Sequence, residues 1–361
     1  MKRHHWLALL TLGLLLTACG RQEPPPPVPE PEPPPAVEPQ PDPEPPVPAG
    51  TNPLTGEPME PELETLRPVA VMFNNLKAAQ PQIGVSGADL IYEVVAEGGI
   101  TRMLGVFQSL EGVEELGSIR STRAYYLELT LGHDALLVHA GGSPEAYRQI
   151  PAWDVDNMDG VRGGSDAEIF WRDPERRKHN GFEHSLMTSG EQIQSYLEAG
   201  HFRRELREGF SQGLTFTQDG TPAGGTAAEE IAVKFSPYKT GIFTYDPASG
   251  RYLVSQYGKP HTDGGNGQQL AVTNLLVLET DIHLTSGDAE GRQTVRLTGT
   301  GHGTFCCGGR AIPIQWGRGD RNSPLRYTLE TGAALALGQG KTYICIIDPD
   351  SGSMELSPAA A

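Results

Sequence analysis

The chain is short of cations. Its 28 lysines and arginines stand against 45 aspartates and glutamates, a formal charge of −17 over 361 residues. Nucleic-acid binding takes a basic footprint, so no nucleic-acid partner is expected. Cysteine is scarce too: there are four, and their spacing matches no zinc site. The apolar run Trp6–Leu16, broken by Thr11 and Gly13, is too short to cross a bilayer, which takes about 20 residues. No Gly-x-Ser-x-Gly elbow, His-Glu-x-x-His pair or phosphate-binding P-loop occurs, so the ready-made signatures of hydrolases, zinc proteases and nucleotide enzymes are missing. No solenoid period is present. The sequence therefore indicates no metal and no cofactor, and its catalytic residues, if it has any, stay unknown.

What is present begins with a leader. Met1–His5 is a short basic segment, and Trp6–Leu16 has the length and flanks of a signal-peptide core. Leu16-Thr17-Ala18-Cys19 resembles the lipobox read by bacterial lipoprotein processing enzymes. That likeness makes residues 1–18 a cleaved leader and Cys19 the lipid-bearing first residue of the mature chain, extracytoplasmic and tethered to a membrane. Removing Lys2 and Arg3 leaves 26 cations against 45 anions, so the mature charge is −19. An acidic body is repelled by an anionic surface, so the lipid and not charge would hold it there. The leader does not separate inner from outer membrane. Residues 19–51 follow as a stalk rich in Pro and Glu. Repeated Pro favours extended polyproline II at about 3.1 Å per residue, a reach of roughly 90 Å.

The folded body is expected as two domains, residues 52–225 and 226–357. The first reads as α/β or α+β with a mixed sheet. Strands are predicted at Pro68–Phe73, Ala88–Val95 and Ile100–Phe107, the last two joined as a hairpin at Gly98-Gly99. A helix over Thr122–Leu131, a buried strand Ala135–His139, and helices over Ser143–Ile150 and Glu191–Ala199 follow. The Gly/Thr-rich stretch Gly220–Thr226 marks a change, after which the pattern predicts strands alone, an all-β C-terminal domain. Cys306, Cys307 and Cys345 read either as one disulfide with an odd thiol or as three buried small residues.

Three segments could carry chemistry. In Gly117–Arg123, Arg120 and Arg123 flank a predicted helix start that Ser121 or Thr122 could cap, an environment suited to a phosphate or carboxylate. In Leu137–Glu145, a strand runs into Gly141 and Gly142, and Ser143 with Pro144 reads as a helix N-cap. His139 in that strand is either a hydrogen-bonded core residue or a site residue. If the strands are parallel, both turns sit where α/β folds bind ligands. Phe170–Asn180, with Arg172, His179 and Asn180, is the most basic segment of an acidic chain; it reads as an anion-binding surface or as a solvated loop, and Trp171 offers a stacking face. In the β half, Tyr257–Asp263 reads as a structural turn.

These residues in this order resemble the YerB-like lipoprotein family, whose domains carry no assigned activity. The likeness rests on Asn52–Gly56, Arg67–Val71, Asn74-Asn75, Pro81-Gln82, Ala88-Asp89 and Tyr92-Glu93. It continues through Glu97–Arg102, Val106–Gln108, Ile119–Ser121 with Arg123, His139–Ser143, Phe170–Arg172 and His179-Asn180, and in the β half through Tyr245-Asp246, Tyr252, Gly258–His261 with Asp263, and Asn274. It implies an α/β domain followed by a β-rich one. The chain departs from the family pattern at Ala124-Tyr125 and at Leu253-Val254. A looser similarity joins it to the LytR-CpsA-Psr phosphotransferases, though Ser121 stands where those enzymes place an Asp after the loop arginine.

Three functional readings follow. One is an envelope module that binds a cell-wall glycan, an anionic ligand or a partner protein through Arg120, Ser121, Arg123, His139, Gly141, Gly142, Ser143, Arg172, His179 and Asn180. The second is a phosphoryl- or glycosyl-transferring enzyme in which those arginines stabilise phosphate charge and Asp89, Glu93 or Glu97 serves as acid or metal ligand. The third is a scaffold in which every motif serves packing.

Overall fold

Continuous runs of β-branched and aromatic residues make strands that are buried on both faces, and this chain uses them to build one large central sheet. The structure, a computed structural model, describes residues 50–357, so the leader, Cys19 and all but the last two residues of the stalk lie outside the described residues. In chain order the principal elements are β1 (Val69–Asn74), β2 (Leu90–Val95), β3 (Thr101–Phe107), β4 (Glu115–Gly117), α1 (Ala124–Gly132), β5 (Leu136–His139), α2 (Pro144–Ala152), β6 (Asn157–Asp159), β7 (Trp171–Arg172), α3 (Pro174–His179), β8 (Leu186–Ser189) and α4 (Gly190–Glu198). From residue 226 onward only strands occur among the described residues: β9 (Thr226–Ala227), β10 (Glu230–Ser236), β11 (Lys239–Asp246), β12 (Arg251–Gln256), β13 (Asn274–Glu279), β14 (Gly299–Cys307), β15 (Arg310–Arg318), β16 (Arg326–Leu329), β17 (Thr342–Ile347) and β18 (Ser353–Ser357), with a few two- and three-residue strands between them.

The central sheet has eleven strands and runs β9-β15-β14-β13-β17-β2-β3-β1-β5-β6, with β16 beside β15. It is mixed. β13, β17 and β2 lie parallel to one another, as do β1, β5 and β6, while β3 lies antiparallel to both β2 and β1. The two halves read from the sequence therefore share one sheet: β17, near the C-terminus, pairs with β2 from position Leu90 to Val94. The β2–β3 hairpin turns at Glu97–Gly99, where Gly98 and Gly99 take φ of 65° and 75°, a left-handed path that only glycine follows without penalty.

All six residues of β1 are buried. Val69, Val71 and Phe73 point to one face, where they join Ile231, Val233, Phe235, Phe243 and Val254 of a second sheet. Ala70 and Met72 point to the other, where they join Tyr125, Tyr126, Leu127 and Leu129 of α1 and Ala146 of α2. Helices, large sheet and second sheet thus form three layers. Each fully buried Val, Leu or Phe contributes about 1.5–3 kcal/mol. The second sheet, built on β12-β11-β10-β18, is buried on one side only: Glu230 and Lys234 alternate outward with Ile231 and Val233 inward. Cys306, Cys307 and Cys345 are free and buried. They lie on β14 and β17, with β13 between, so the reading of three buried small residues holds and the disulfide reading does not.

Two facts position the site. Asn52 donates to Asp89 at 3.1 Å, so the chain enters the body beside the start of β2. β1 and β2 run the same way, and the carboxyl end of β1 lies about 20 Å from that entry, at roughly 3.3 Å per strand residue.

Candidate functional site

The segments around Arg120 and Gly141 meet at the carboxyl ends of β1, β5 and β6. Arg120 donates its backbone N–H to Met72 of β1, Ala140 donates to Arg120, Thr122 to Gly141, and Ser143 to Thr122. This ladder makes a parallel bridge between Thr122 and Gly142. The chain leaves β5 through Gly141, whose φ of 80° favours glycine over any residue with a side chain. Asp159, at the end of β6, pins the turn from below. Its carboxylate accepts from Gly141 N–H at 2.8 Å, Val161 N–H at 2.9 Å and the Tyr147 hydroxyl at 2.7 Å. Burial works to raise the Asp159 pKa, but the nearby His139 ring and these donors outweigh it and hold the carboxyl below its usual range.

Above this floor opens a cleft of about 270 Å³, lined on its walls by Arg120, Arg162, Arg172, Phe182 and Glu183, and on its floor by Ser121, Gly141, Gly142 and Tyr147. Three guanidiniums against one carboxylate make it a positive site on a chain of charge −17. Arg162 lies over the Tyr147 ring, 3.8 Å to the centroid, and Arg172 over Phe182 at 3.6 Å. Phe182 and Val161, both lining the cleft, are two of the four large apolar side chains exposed among the described residues. Arg120 reaches Glu183 with Nη2 at 2.7 Å, while its Nε is buried without a partner. Arg172 spends one nitrogen on the Phe182 carbonyl at 2.7 Å. Burial, with Arg177 nearby, lowers its pKa.

The sequence candidates divide on this geometry. Arg120, Ser121, Gly141, Gly142 and Arg172 come together. Arg123 does not line the cleft. Its Nε and Nη2 hold Glu97 and its Nη1 donates to the Thr122 carbonyl at 2.6 Å. Arg102 holds the same carboxylate at 2.5 Å and donates to the Ser121 carbonyl at 2.6 Å. Burial pushes against ionisation of Glu97, yet the two guanidiniums hold its pKa down, while burial and Arg123 together bring Arg102 down to about 10. Neither Ser121 nor Thr122 caps α1: the N-cap position is Arg123, without a side-chain cap. Ser121 donates its hydroxyl to the Ala140 carbonyl at 2.9 Å, while the Thr122 backbone is fixed in the bridge to Gly142 and its hydroxyl turns to the Arg123 carbonyl.

His139 is fully buried, with one ring nitrogen 2.8 Å from the Gly141 carbonyl and the other 3.0 Å from Asn157. Ser143 caps α2 as the sequence suggests, accepting from Ala146 N–H at 3.0 Å. Asn180 donates to the Ala78 carbonyl at 2.8 Å, fastening α3 to the loop after β1. His179 is exposed on α3, 3.3 Å from Glu175. Trp171 pairs in β7 with Met187 and does not line the cleft.

The three carboxylates considered as acids or metal ligands lie outside the cleft, each held by neighbouring donors. Asp89 accepts from Asn52 and from Gln108 N–H at 2.7 Å, and burial raises its pKa. Glu93 lies between the sheets, 3.1 Å from Lys239, accepting from Asn75 at 2.8 Å and from Thr101 and Tyr343 at 2.5 Å each. Among the described residues no three His, Cys, Asp or Glu side chains group as a metal site. The residues that sequence reasoning missed are Tyr147, Asp159, Arg162 and Glu183. Arg162 and Glu183 sit in loops with no pattern around them. Tyr147 stood within a predicted helix, one turn beyond its cap.

Comparison with known proteins follows the same outline. A family described as "Protein of unknown function (DUF3048)" matches through its N-terminal domain over residues 54–203 and through its C-terminal domain over residues 231–344. A relative from Bacillus subtilis (strain 168), named "Putative lipoprotein YerB", is 32% identical over 308 residues, 84% of this chain and 88% of the relative. The crystal structure of the YerB protein from Bacillus subtilis matches with a TM-score of 0.71 at 28% identity, covering 84% of this chain and 99% of that one.

Proposed function

The chain belongs to the YerB-like family, DUF3048, and from that premise we propose that it is a lipid-anchored envelope protein whose body binds an anionic glycan in the Arg120–Arg172 cleft. One observation carries the reading: three guanidiniums, from Arg120, Arg162 and Arg172, meet beside exposed Phe182 and Val161 on an otherwise acidic chain. Charge-assisted hydrogen bonds to an oxyanion are about twice as strong as neutral ones. The exposed ring and methyls add a surface for the apolar face of a sugar. The transferase reading assigns its acid to Asp89, Glu93 or Glu97, none of which lines the cleft; the carboxylate there is Glu183, paired with Arg120.

The anchor reading rests on Leu16–Cys19 and on the name of the relative. Within the described residues the chain enters beside the start of β2, at the other end of the sheet from the cleft; the ligand is to be sought among wall components or an envelope partner protein. Replacement Cys19→Ala should release the protein from the membrane fraction into the medium; retention in the membrane refutes the anchor. For the cleft, the full chain in detergent is titrated with N-acetylglucosamine 1-phosphate, a glucuronate-containing trisaccharide and neutral chitotriose. The two anionic probes separate phosphate from carboxylate sources of the same oxyanion chemistry. A hydrogen bond to a charged group is worth about 1.5–3 kcal/mol, so Arg120→Ala should weaken anionic binding about 10- to 100-fold.

A further inference from the structure

Arg120 and Arg123 both hold a glutamate, but the two pairs differ in kind. Glu97 is gripped by two guanidiniums and its side chain is 24% exposed. Glu183 makes a single ion pair, to one nitrogen of Arg120, and its side chain is 66% exposed. The fold encloses the first pair; in the second it half-buries Arg120, whose side chain is 20% exposed, and leaves the Glu183 carboxylate in water.

We infer that Glu183 is a built-in competitor for the cleft: its carboxylate occupies on Arg120 the place that the ligand's oxyanion takes, and binding displaces it. The inference rests on the anion-site reading above. Its physical basis is the weakness of exposed ion pairs. Solvent screens the charges and the side chain gives up rotamer freedom to hold them together. A glycan oxyanion that also meets Arg162, Arg172 and the exposed face of Phe182 has more to gain than Glu183 has to lose.

The local backbone suits a side-chain exchange. Glu183 sits in the short turn Phe182–His184. On one side of it Arg172 holds the Phe182 carbonyl at 2.7 Å. On the other, the His184 ring lies 2.8 Å from the buried Asn74 amide. Both neighbours are fastened, so the Glu183 side chain can swing outward into solvent without the turn moving. While it stays, its charge repels a second anion and sets a threshold that only a ligand with several contacts passes. Glu183 thereby tunes specificity: it discriminates against small free anions in favour of those carried on a larger molecule.

The test compares wild type, Glu183→Gln, Arg120→Ala and the double variant, each as the full chain in detergent, with N-acetylglucosamine 1-phosphate and the glucuronate trisaccharide as probes. Removing the competing charge should tighten binding of both about two- to fivefold, the range set by exposed ion pairs, and free inorganic phosphate should gain at least as much. Arg120→Ala should abolish the gain. If Glu183→Gln binds equally or more weakly while Arg120→Ala still weakens wild-type binding, the competitor is wrong and the anion site stands. If binding occurs but ignores Arg120→Ala, the site itself is elsewhere and both claims fall. Binding of neither probe by wild type or Glu183→Gln overturns both as well. Because Glu183 is exposed, an unchanged thermal melt of the variant establishes that its fold is intact.

Discussion

Two arginines three residues apart do different work, and the difference lies in what surrounds them. Arg123 has each of its nitrogens spent on Glu97 or on the Thr122 carbonyl, and it is 6% exposed. Arg120 offers one nitrogen to a solvent-facing carboxylate. The first is framework and the second is available. The same sorting applies to Glu93, whose pair with Lys239 is sealed, the two side chains being 1% and 2% exposed. Removing one partner of such a pair leaves a buried charge uncompensated, which costs about 3–5 kcal/mol. Lys239→Met should therefore lower the unfolding free energy by about that much in urea. Adding Glu93→Gln should recover a good part of the loss, because the amide oxygen can still accept from Thr101 and Asn75, the amide NH2 can donate to the Tyr343 hydroxyl, and the stranded charge is gone. A double variant as unstable as the single one would show that packing, not charge, governs the site. Residue chemistry was only half legible in the sequence. It supplies the arginines, but Glu97 reaches Arg102 and Arg123 through a hairpin and a loop, and such tertiary pairing leaves no local trace.

Elements with their own local signals could be read, and those that depend on partners could not. Ser143-Pro144 announced α2 because an N-cap hydroxyl and a proline at the first helical position act within one turn. Ser143→Ala should cost about 1 kcal/mol of stability in a thermal or urea melt without weakening probe binding, since its hydroxyl is spent on Ala146 N–H. No measurable loss, or a loss of binding instead, would return Ser143 to the list of site residues. Helix α3 carried the same signal, Asp173 followed by Pro174, and Asp173 does accept from Arg176 N–H at 2.6 Å. The density of charge in Phe170–Asn180 hid it as a loop. Strand β14 begins Gly299-Thr300-Gly301 and has almost no strand propensity of its own at that end. It is a strand because β13 and β15 flank it, pairing Leu275 with Cys306 and Trp316 with Gly301. Gly301 is required there, since an added Cβ would lie 2.4 Å from the Trp316 ring. The expected cap of α1 failed for a related reason, because Thr122 and Ser121 were already claimed by the turn after β5.

At the scale of the molecule, the sequence shows a change of composition near residue 220, and beyond it the described residues form strands and no helix. What it does not show is that β17 returns to lie beside β2. Pairing between residues some 250 positions apart is fixed by the whole core and not by any window of sequence. The Asn52–Asp89 contact and the common direction of β1 and β2 put the chain entry and the cleft at opposite ends of those strands. The acidic body is thus oriented around a small positive site, with Asp159 and Gly141 fixing its floor and Arg120, Arg162 and Arg172 its charge. The central claim is that this cleft selects anionic glycans, and calorimetric titration of the full chain, wild type against Arg120→Ala, tests it most directly. The account predicts that wild type binds N-acetylglucosamine 1-phosphate or the glucuronate trisaccharide more tightly than neutral chitotriose, and that Arg120→Ala removes the preference. Equal affinity for charged and neutral sugars, or a preference that survives loss of Arg120, would contradict it.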